Sequence, residues 1–370
     1  MYKLLILFIV FSAFVRAQEV PAVTNQQNAK ESNLKKEMKV ESDGLVSKDE
    51  AVQMKLFTLN VQGIQSNLNS ISYSSTRKSP TKIELQDMQS QLEILKLSNA
   101  QSFEYNLLNY QVGNYDFSRI ESLKAAEQLQ PNNVSVLKEL SAYSYIMNDE
   151  VALKKYLNKL SNQQFFSKDL QLYAENTLQS LPMNSILITH GEKDTYPLLI
   201  QQKIKNTRSD VEIISLDHLQ SEEYKKRLQK KGFLFPKNDF IDTRFFESFM
   251  ELNSSKNIIV ATSVPRPYLI IGGKSVVTVG MGLSFNSSNK YDDVSNQKLY
   301  EKSMKTMINQ HVLQSKEKQL LGNYLPFLFS VRNSYITKND VKKITETETL
   351  ILKIAQLSNK YQQVNSLLNK

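Results

Sequence analysis

The stretch SILITHGEKDTYPLLIQQ, residues Ser185–Gln202, joins a short apolar run to a polar loop and then to a helical pattern. Ile186–Thr189 has the length and unbroken apolarity of a buried strand. His190-Gly191-Glu192-Lys193-Asp194-Thr195 is too polar to continue it, and Pro197 suits the opening of a helix reaching Asn206, because a first-turn residue needs no N–H partner. VEIISL, Val211–Leu216, is a second buried-type strand. Strand, tight loop, helix and strand at this spacing predict a parallel βαβ unit. In such sheets ligands sit beyond the carboxyl ends of the strands, beside helix N-termini. His190, Gly191, Glu192, Asp194, Thr195 and Tyr196 are therefore the candidate ligand or partner contacts. Two roles stay open for them. In one, Asp194 or Thr195 caps the helix and Gly191 permits the turn. In the other, Glu192 and Asp194 face a ligand as general base or metal ligands, with His190 at the rim. Neither His218 nor His311 has a sequence neighbour completing a metal or triad pattern, so no catalytic residue, metal or cofactor is assigned.

Downstream, Ser221–Lys231 reads as a charged helix and Asn257–Thr262 as a third strand. Tyr268–Ile271 and Ser275–Val279 read as a hairpin joined through Gly272-Gly273. Two helices, Val294–Leu321 and Asn339–Asn369, complete the pattern, the last capped by Thr337 or Asn339. Its Leu350, Ile354, Leu357, Tyr361, Val364 and Leu368 form one narrow apolar seam, expected to dock on the body of the protein, with an intermolecular coiled coil as the alternative.

Upstream the period is helical. Met54, Phe57, Val61, Ile64 and Leu68 share a face of a helix from Asp49; Ser70–Ser79 is a loop; Pro80 opens a helix whose face is Ile83, Leu85, Met88, Leu92 and Leu95. Asn109–Asn133 resembles a tetratricopeptide repeat, with Gly113-Asn114-Tyr115 at the inter-helix turn, Leu123 and Ala126 on the second helix and Pro131 closing the unit, one residue longer than usual. Val134–Asn162 is similar to a second copy through Leu137, Leu140, Tyr145, Ala152, Tyr156 and Leu160, and Asp169–Leu181 supplies the first helix of a third. An ordinary helical bundle is the competing reading. Stacked repeats bury one apolar face per helix pair, and the resemblance implies a groove for a protein partner.

A second resemblance rests on Leu181-Pro182, Asn184, Ser185-Ile186-Leu187, Thr189, Gly191-Glu192, Asp194-Thr195-Tyr196-Pro197-Leu198 and Arg208-Ser209-Asp210-Val211, and more loosely on Asn257–Gly280. This block is similar to the soluble C-terminal part of an uncharacterised bacterial family of multi-spanning proteins resembling O-mannosyltransferases. It also resembles proteins that join the block to tetratricopeptide repeats. Those relatives carry Asn-Gly-Asp where this chain has His190-Gly191-Glu192. The membrane-embedded transferase half has no counterpart here, so glycosyl transfer is not implied. What the resemblance implies is an extracytoplasmic α/β module.

MYKLLILFIVFSAFVRA, residues 1–17, has the positive start, apolar run and small-residue end of a secretory signal, and its run is short of the ~20 residues that span a bilayer. Gln18–Lys48 is polar and reads as a flexible linker. The chain has no cysteine, which excludes disulfides, thiolate metal sites and cysteine nucleophiles. Its net charge is +9, or +7 without Lys3 and Arg16. The excess lysine, as in Lys225-Lys226-Arg227 and Lys230-Lys231, reads as solvated helix faces and not as a nucleic-acid stripe.

The expected fold class is α+β/α/β: a tetratricopeptide-like helical segment packed on a small, mostly parallel α/β domain with C-terminal helices. The divisions are a signal peptide (1–17), a linker (18–48), a helical domain (49–181), an α/β domain (182–285) and a C-terminal helical region (286–370). The expected function is an exported, periplasmic interaction or assembly protein that meets a protein partner through its helices, with no nucleic acid and no transmembrane segment in the mature chain. The alternative is a module or enzyme that binds a carbohydrate or phosphate headgroup at the Glu192/Asp194 loop.

Overall fold

The computed structural model describes residues 48–270, 276–285 and 291–369. The signal peptide and nearly all of the linker read above lie outside them. The three buried-type runs form strands β1 (Ile186–Thr189), β2 (Glu212–Ser215) and β3 (Ile258–Ala261). β1 is central, parallel to β2 on one side (Ile186 opposite Glu212) and to β3 on the other (Ile186 opposite Ile258). The order β2-β1-β3-β5-β4 continues with β4 (Val277–Val279) and β5 (Gly282–Ser284), both antiparallel to their neighbours. The sheet is thus mixed, where the sequence predicts a mostly parallel one, and the class is α+β.

The predicted Gly272-Gly273 turn lies outside the described residues, but the first arm predicted for it is no strand. Arg266–Leu269 is a short helix, and the turn joining β4 to β5 is Gly280-Met281. Gly280 has φ +55°, and a Cβ there would fall 2.2 Å from the Ser180 carbonyl oxygen. Only glycine lets the hairpin press this closely on Ser180, the last residue of the helix Lys168–Ser180 ahead of β1.

Among the described residues seven α-helices precede β1: α1 (Lys48–Ser72), α2 (Lys82–Asn99), α3 (Phe103–Val112), α4 (Ile120–Leu129), α5 (Val134–Ile146), α6 (Glu150–Asn162) and α7 (Lys168–Ser180). Helices consecutive in the chain pack together as α1 with α2, α3 with α4 and α5 with α6. Their polar N-caps are local: Thr81 closes a capping box with Glu84, and Asn133, Asp149 and Ser167 each accept a first-turn N–H.

α8 (Glu192–Lys203) follows β1, and α9 (Glu222–Lys230) and α10 (Thr243–Leu252) lie between β2 and β3. Beyond the sheet the predicted single helix over Val294–Leu321 is three pieces: α12 (Asp293–Leu299, counting Arg266–Leu269 as α11), a π-helical turn and α13 (Lys305–Gln314), then a 3₁₀ segment (Lys318–Tyr324). α14 (Leu325–Thr337) was not foreseen. The last predicted helix is also divided, into α15 (Val341–Leu357) and α16 (Tyr361–Leu368), because Asn359 adopts φ +60° between them. Asp340, not Thr337 or Asn339, caps α15 by accepting the Lys343 N–H. The seam docks on the body through buried Ile354 and Val364, while Tyr361 is exposed.

One continuous apolar core runs from Leu107 in α3 to Leu367 in α16. A second, smaller core holds α1, α2 and α3 together through Ile64, Ile71, Met88, Leu92, Leu95, Leu108 and Val112. The loop between α1 and α2 ties this hairpin to the α/β module. Lys78 N–H donates to the Ile241 carbonyl (2.7 Å), Thr243 N–H to the Thr76 carbonyl (3.1 Å) and Ile241 N–H to Ser79 Oγ (2.8 Å). The solvated-face reading of the lysines holds only in part: Lys225 is buried and bridges Glu222 and Asp239, and Arg227 donates to the carbonyls ending α5.

Candidate functional site

From β1 the chain moves to β2 on one side, and β3 then enters on the opposite side of β1. The carboxyl ends of β1 and β3 therefore flank a topological switch point, where open α/β sheets place their ligands. A cavity of about 770 Å³ lies there, lined by the loop after β1 (190–194) and the loop after β3 (262–266). Ser72 and Tyr73 from the end of α1, Phe165 and Leu170 around the start of α7, and residues of the 3₁₀ segment 318–324 complete its wall.

α8 begins earlier than Pro197. Gly191 is its N-cap with φ +83°, a left-handed conformation that favours glycine, and offers no side chain for capping. Asp194 sits one turn in and reaches back: its Oδ2 accepts the His190 N–H at 3.0 Å and its Oδ1 accepts Ser263 Oγ–H at 2.5 Å. Asp194 and Thr195 are thus first-turn residues, not N-caps, and Pro197 lies inside the helix. Burial pushes the Asp194 carboxyl up to about 6, although Ser263 and the His190 N–H stabilise its charge.

The other candidates separate by depth. His190, Gly191, Glu192 and Asp194 line the cavity; Thr195 and Tyr196 lie beneath it. Thr195 Oγ1 meets Thr189 Oγ1 at 2.8 Å, and Tyr196 Oη donates to the Lys138 carbonyl at 2.8 Å while its ring stacks on Phe166. Glu192 pairs with Lys138 from α5. His190 is held neutral: burial, then the Lys78 charge, lowers it to about 3. Its ring stands edge-on to Tyr268, and its Nε2 has no hydrogen-bond partner among the described residues.

Three participants carry little sequence signal. Lys78, buried in the α1–α2 loop, pairs with Asp217 at 3.1 Å and donates to the Ser72 carbonyl. Asp217 in turn accepts the Gly191 N–H at 2.7 Å. Burial alone would raise the Asp217 carboxyl, but the Lys78 charge beside it holds it below the usual range. Ser263 is the third. Nothing in the spacing of residues 78, 217 and 263 announces their meeting; the strand order creates it. Among the described residues no group of acidic or histidine side chains could hold a metal ion.

The family model described as TMEM260-associated domain 2 matches residues 170–355. The chain belongs to this family. The TMEM260-associated domain 2 match spans α7, the whole sheet and most of α15, so it includes both strand-end loops of the cavity and leaves α1 to α6 outside. No curated protein and no solved structure matches the chain.

Proposed function

We propose that this chain is an exported cell-envelope binding protein whose cavity between β1 and β3 seats a small polar ligand carrying sugar-like hydroxyls or a phosphate headgroup. The position of that cavity at the switch point carries the reading. Binding is favoured over catalysis because both loop carboxylates are already engaged, Glu192 by Lys138 and Asp194 by Ser263 and the His190 N–H. Export to the periplasm is supported by the composition of residues 1–17. No helix among the described residues is long and apolar enough to cross a membrane.

Protein docking on tetratricopeptide-like helices is the second reading. Exposed Met147 and Val151, at the junction of α5 and α6, support it. The inner side of that hairpin is already occupied within the chain, with Tyr145 Oη donating to the Ile213 carbonyl of β2 at 2.6 Å.

A thermal-shift screen of the full chain against sugars, sugar phosphates and lipid headgroups tests the first reading, with Leu320→Trp filling the cavity. Stabilising compounds should lose their effect in the variant while its circular dichroism is unchanged. An unresponsive wild-type protein, or equal responses from both, would overturn it.

A further inference from the structure

Lys230-Lys231-Gly232-Phe233-Leu234-Phe235-Pro236-Lys237 closes α9 and runs on toward α10, an apolar triplet with lysines at both ends. Gly232, at φ +77°, stops α9: its N–H donates to the Gln229 carbonyl at 2.8 Å, and the Phe233 N–H donates to the Leu228 carbonyl at 3.1 Å. The next three side chains alternate. Phe233 is buried and stacks on Phe249, and Phe235 is half-buried against the same ring. Leu234, between them, is 56% exposed. Its backbone is nevertheless fully bonded within the protein. The buried Asn253 side chain accepts the Leu234 N–H at 3.0 Å and donates to the Leu234 carbonyl at 2.8 Å. Leu252, beside that asparagine at the end of α10, is also exposed.

We propose that this loop docks on an anionic phospholipid surface, with Leu234 entering the lipid and the surrounding lysines meeting the headgroups. A residue can leave water for lipid at low cost only if its backbone polar groups stay bonded. Asn253 already holds both for Leu234. The lysines supply charge of the complementary sign. Lys230 and Lys237 are exposed and have no carboxylate partner among the described residues, and Lys231 pairs with Glu212. Lys256 stands over the Phe233 ring, 4.6 Å from its centroid, and reaches the Lys231 carbonyl at 3.5 Å. Lysine stems lie along apolar surface while their ammonium heads reach the headgroups, and an apolar centre ringed by lysine is what an interfacial segment presents. Protein–protein interfaces are poor in lysine, so a protein partner fits this ring less well. The placement is consistent. Glu212 opens β2 and Lys256 lies just ahead of β3, so the loop sits at the amino ends of the strands, while the cavity lies at their carboxyl ends. Docking therefore leaves the cavity on the side away from the bilayer. It stands whether or not the cavity holds a ligand.

The test is sedimentation with vesicles of phosphatidylcholine, alone or mixed with phosphatidylglycerol. It uses the chain from Gln18, which keeps every element from α1 to α16 and omits the apolar run of residues 1–17. The protein should bind the mixed vesicles only, and rising salt should release it. Lys230→Gln combined with Lys237→Gln should weaken binding on the order of twentyfold, since each lysine near an anionic surface contributes about fivefold. Leu234→Ser should weaken it about tenfold through lost apolar burial. All three residues are exposed, so the circular dichroism of both variants should match that of the parent. The chain has no cysteine, so Leu234→Cys can carry a single polarity-sensitive dye. Its emission should shift to the blue on mixed vesicles, while a dye on Ile83→Cys, exposed at the start of α2, should not shift. Equal binding to both kinds of vesicle, no binding to either, a dye at position 234 that stays as in water, or unchanged binding by either variant would overturn the assignment. Binding to polyglutamate as strong as to the mixed vesicles, and untouched by Leu234→Ser, would give the patch to an acidic protein and overturn it as well.

Discussion

The α1–α2 and α5–α6 hairpins are made of the same ingredients, two amphipathic helices and a short connection, yet they relate to the rest of the protein differently. α5–α6 merges into the main core: Leu153, Leu157 and Leu160 are buried, and Tyr145 bonds to a strand carbonyl. α1–α2 keeps its own small core and leaves Val52, Leu56, Leu59 and Leu97 exposed. What joins it to the module is polar: the backbone bonds of residues 76–79 to 241–243 and the Lys78–Asp217 pair. One hairpin lies within the main core; the other packs on α3 through its own small core and adds a few directional bonds to the α/β module that also order the floor of the cavity.

Acid should separate the two most. His190, His218 and His311 all belong to the main body, and burial lowers them to about 3, 4 and 4. Unfolding returns them to their ordinary value near 6.5, so between pH 6.5 and 4 the unfolded chain binds more protons and stability falls as pH falls. Asp194 opposes this. Its carboxyl is raised to about 6, so the folded state holds the extra proton between that value and its unfolded pKa near 3.8. Near pH 5 the balance is about two protons, or ~2.7 kcal/mol per pH unit. Denaturant titrations should show that slope between pH 6 and 5 and a shallower one between pH 7 and 6, and Asp194→Asn should steepen the lower interval toward about three protons. A flat profile would contradict the burial of the histidines.

Next in size is the polar link itself. Lys78→Met leaves the partly exposed Asp217 without its cation, which should cost at most the lower end of the about 3–5 kcal/mol of a broken buried pair. The same change loosens Gly191, so hydrogen exchange should rise both in the 76–79 segment and at the start of α8. Exchange rising in the first alone would show that the cavity floor stands independently of the hairpin.

Met88→Ala probes the small core. A methionine truncated in a packed interior costs about 2–5 kcal/mol, and here the loss should appear as faster exchange in α1 and α2 with the sheet still protected. Uniform loss across the chain would mean that the two cores melt as one.

The sequence exposes the three buried strands and most helices because their apolar runs and periods are local. It shows the β1–α8 loop for the same reason. It misplaces the start of α8, because Pro197 draws attention from Gly191, whose positive φ combines with the backward reach of Asp194 to begin the helix five residues sooner. The β4–β5 hairpin is hidden because its strands are three residues long and its tight turn depends on Ser180, far away in sequence. α10 carried an overlooked signal: Asp242 as N-cap ahead of Phe245, Phe246, Phe249 and Met250, the apolar spacing of one helical face. Lys78, Asp217 and Ser263 were beyond reach, since a charged loop residue reads as solvated until topology buries it.

The smallest expected effect tests how local the hairpin's stability is. Thr81 Oγ1 accepts the Glu84 N–H at 3.3 Å, and Glu84 returns by accepting the Thr81 N–H at 2.8 Å. Thr81→Ala removes the first of these and should cost about 1 kcal/mol, with Thr81→Ser restoring most of it. Glu84 is also bound by Arg77 at 2.6 Å, and Arg77 belongs to the segment bridging to Asp242. The cap and the link to the module thus share one carboxylate. A double-mutant cycle of Thr81→Ala with Arg77→Ala should therefore show coupling of at least about 0.5 kcal/mol, the size expected for residues in one hydrogen-bond network. Strict additivity would mean that α2 is capped independently of the link, and the hairpin would then be a separately stable unit tethered to the body through Lys78.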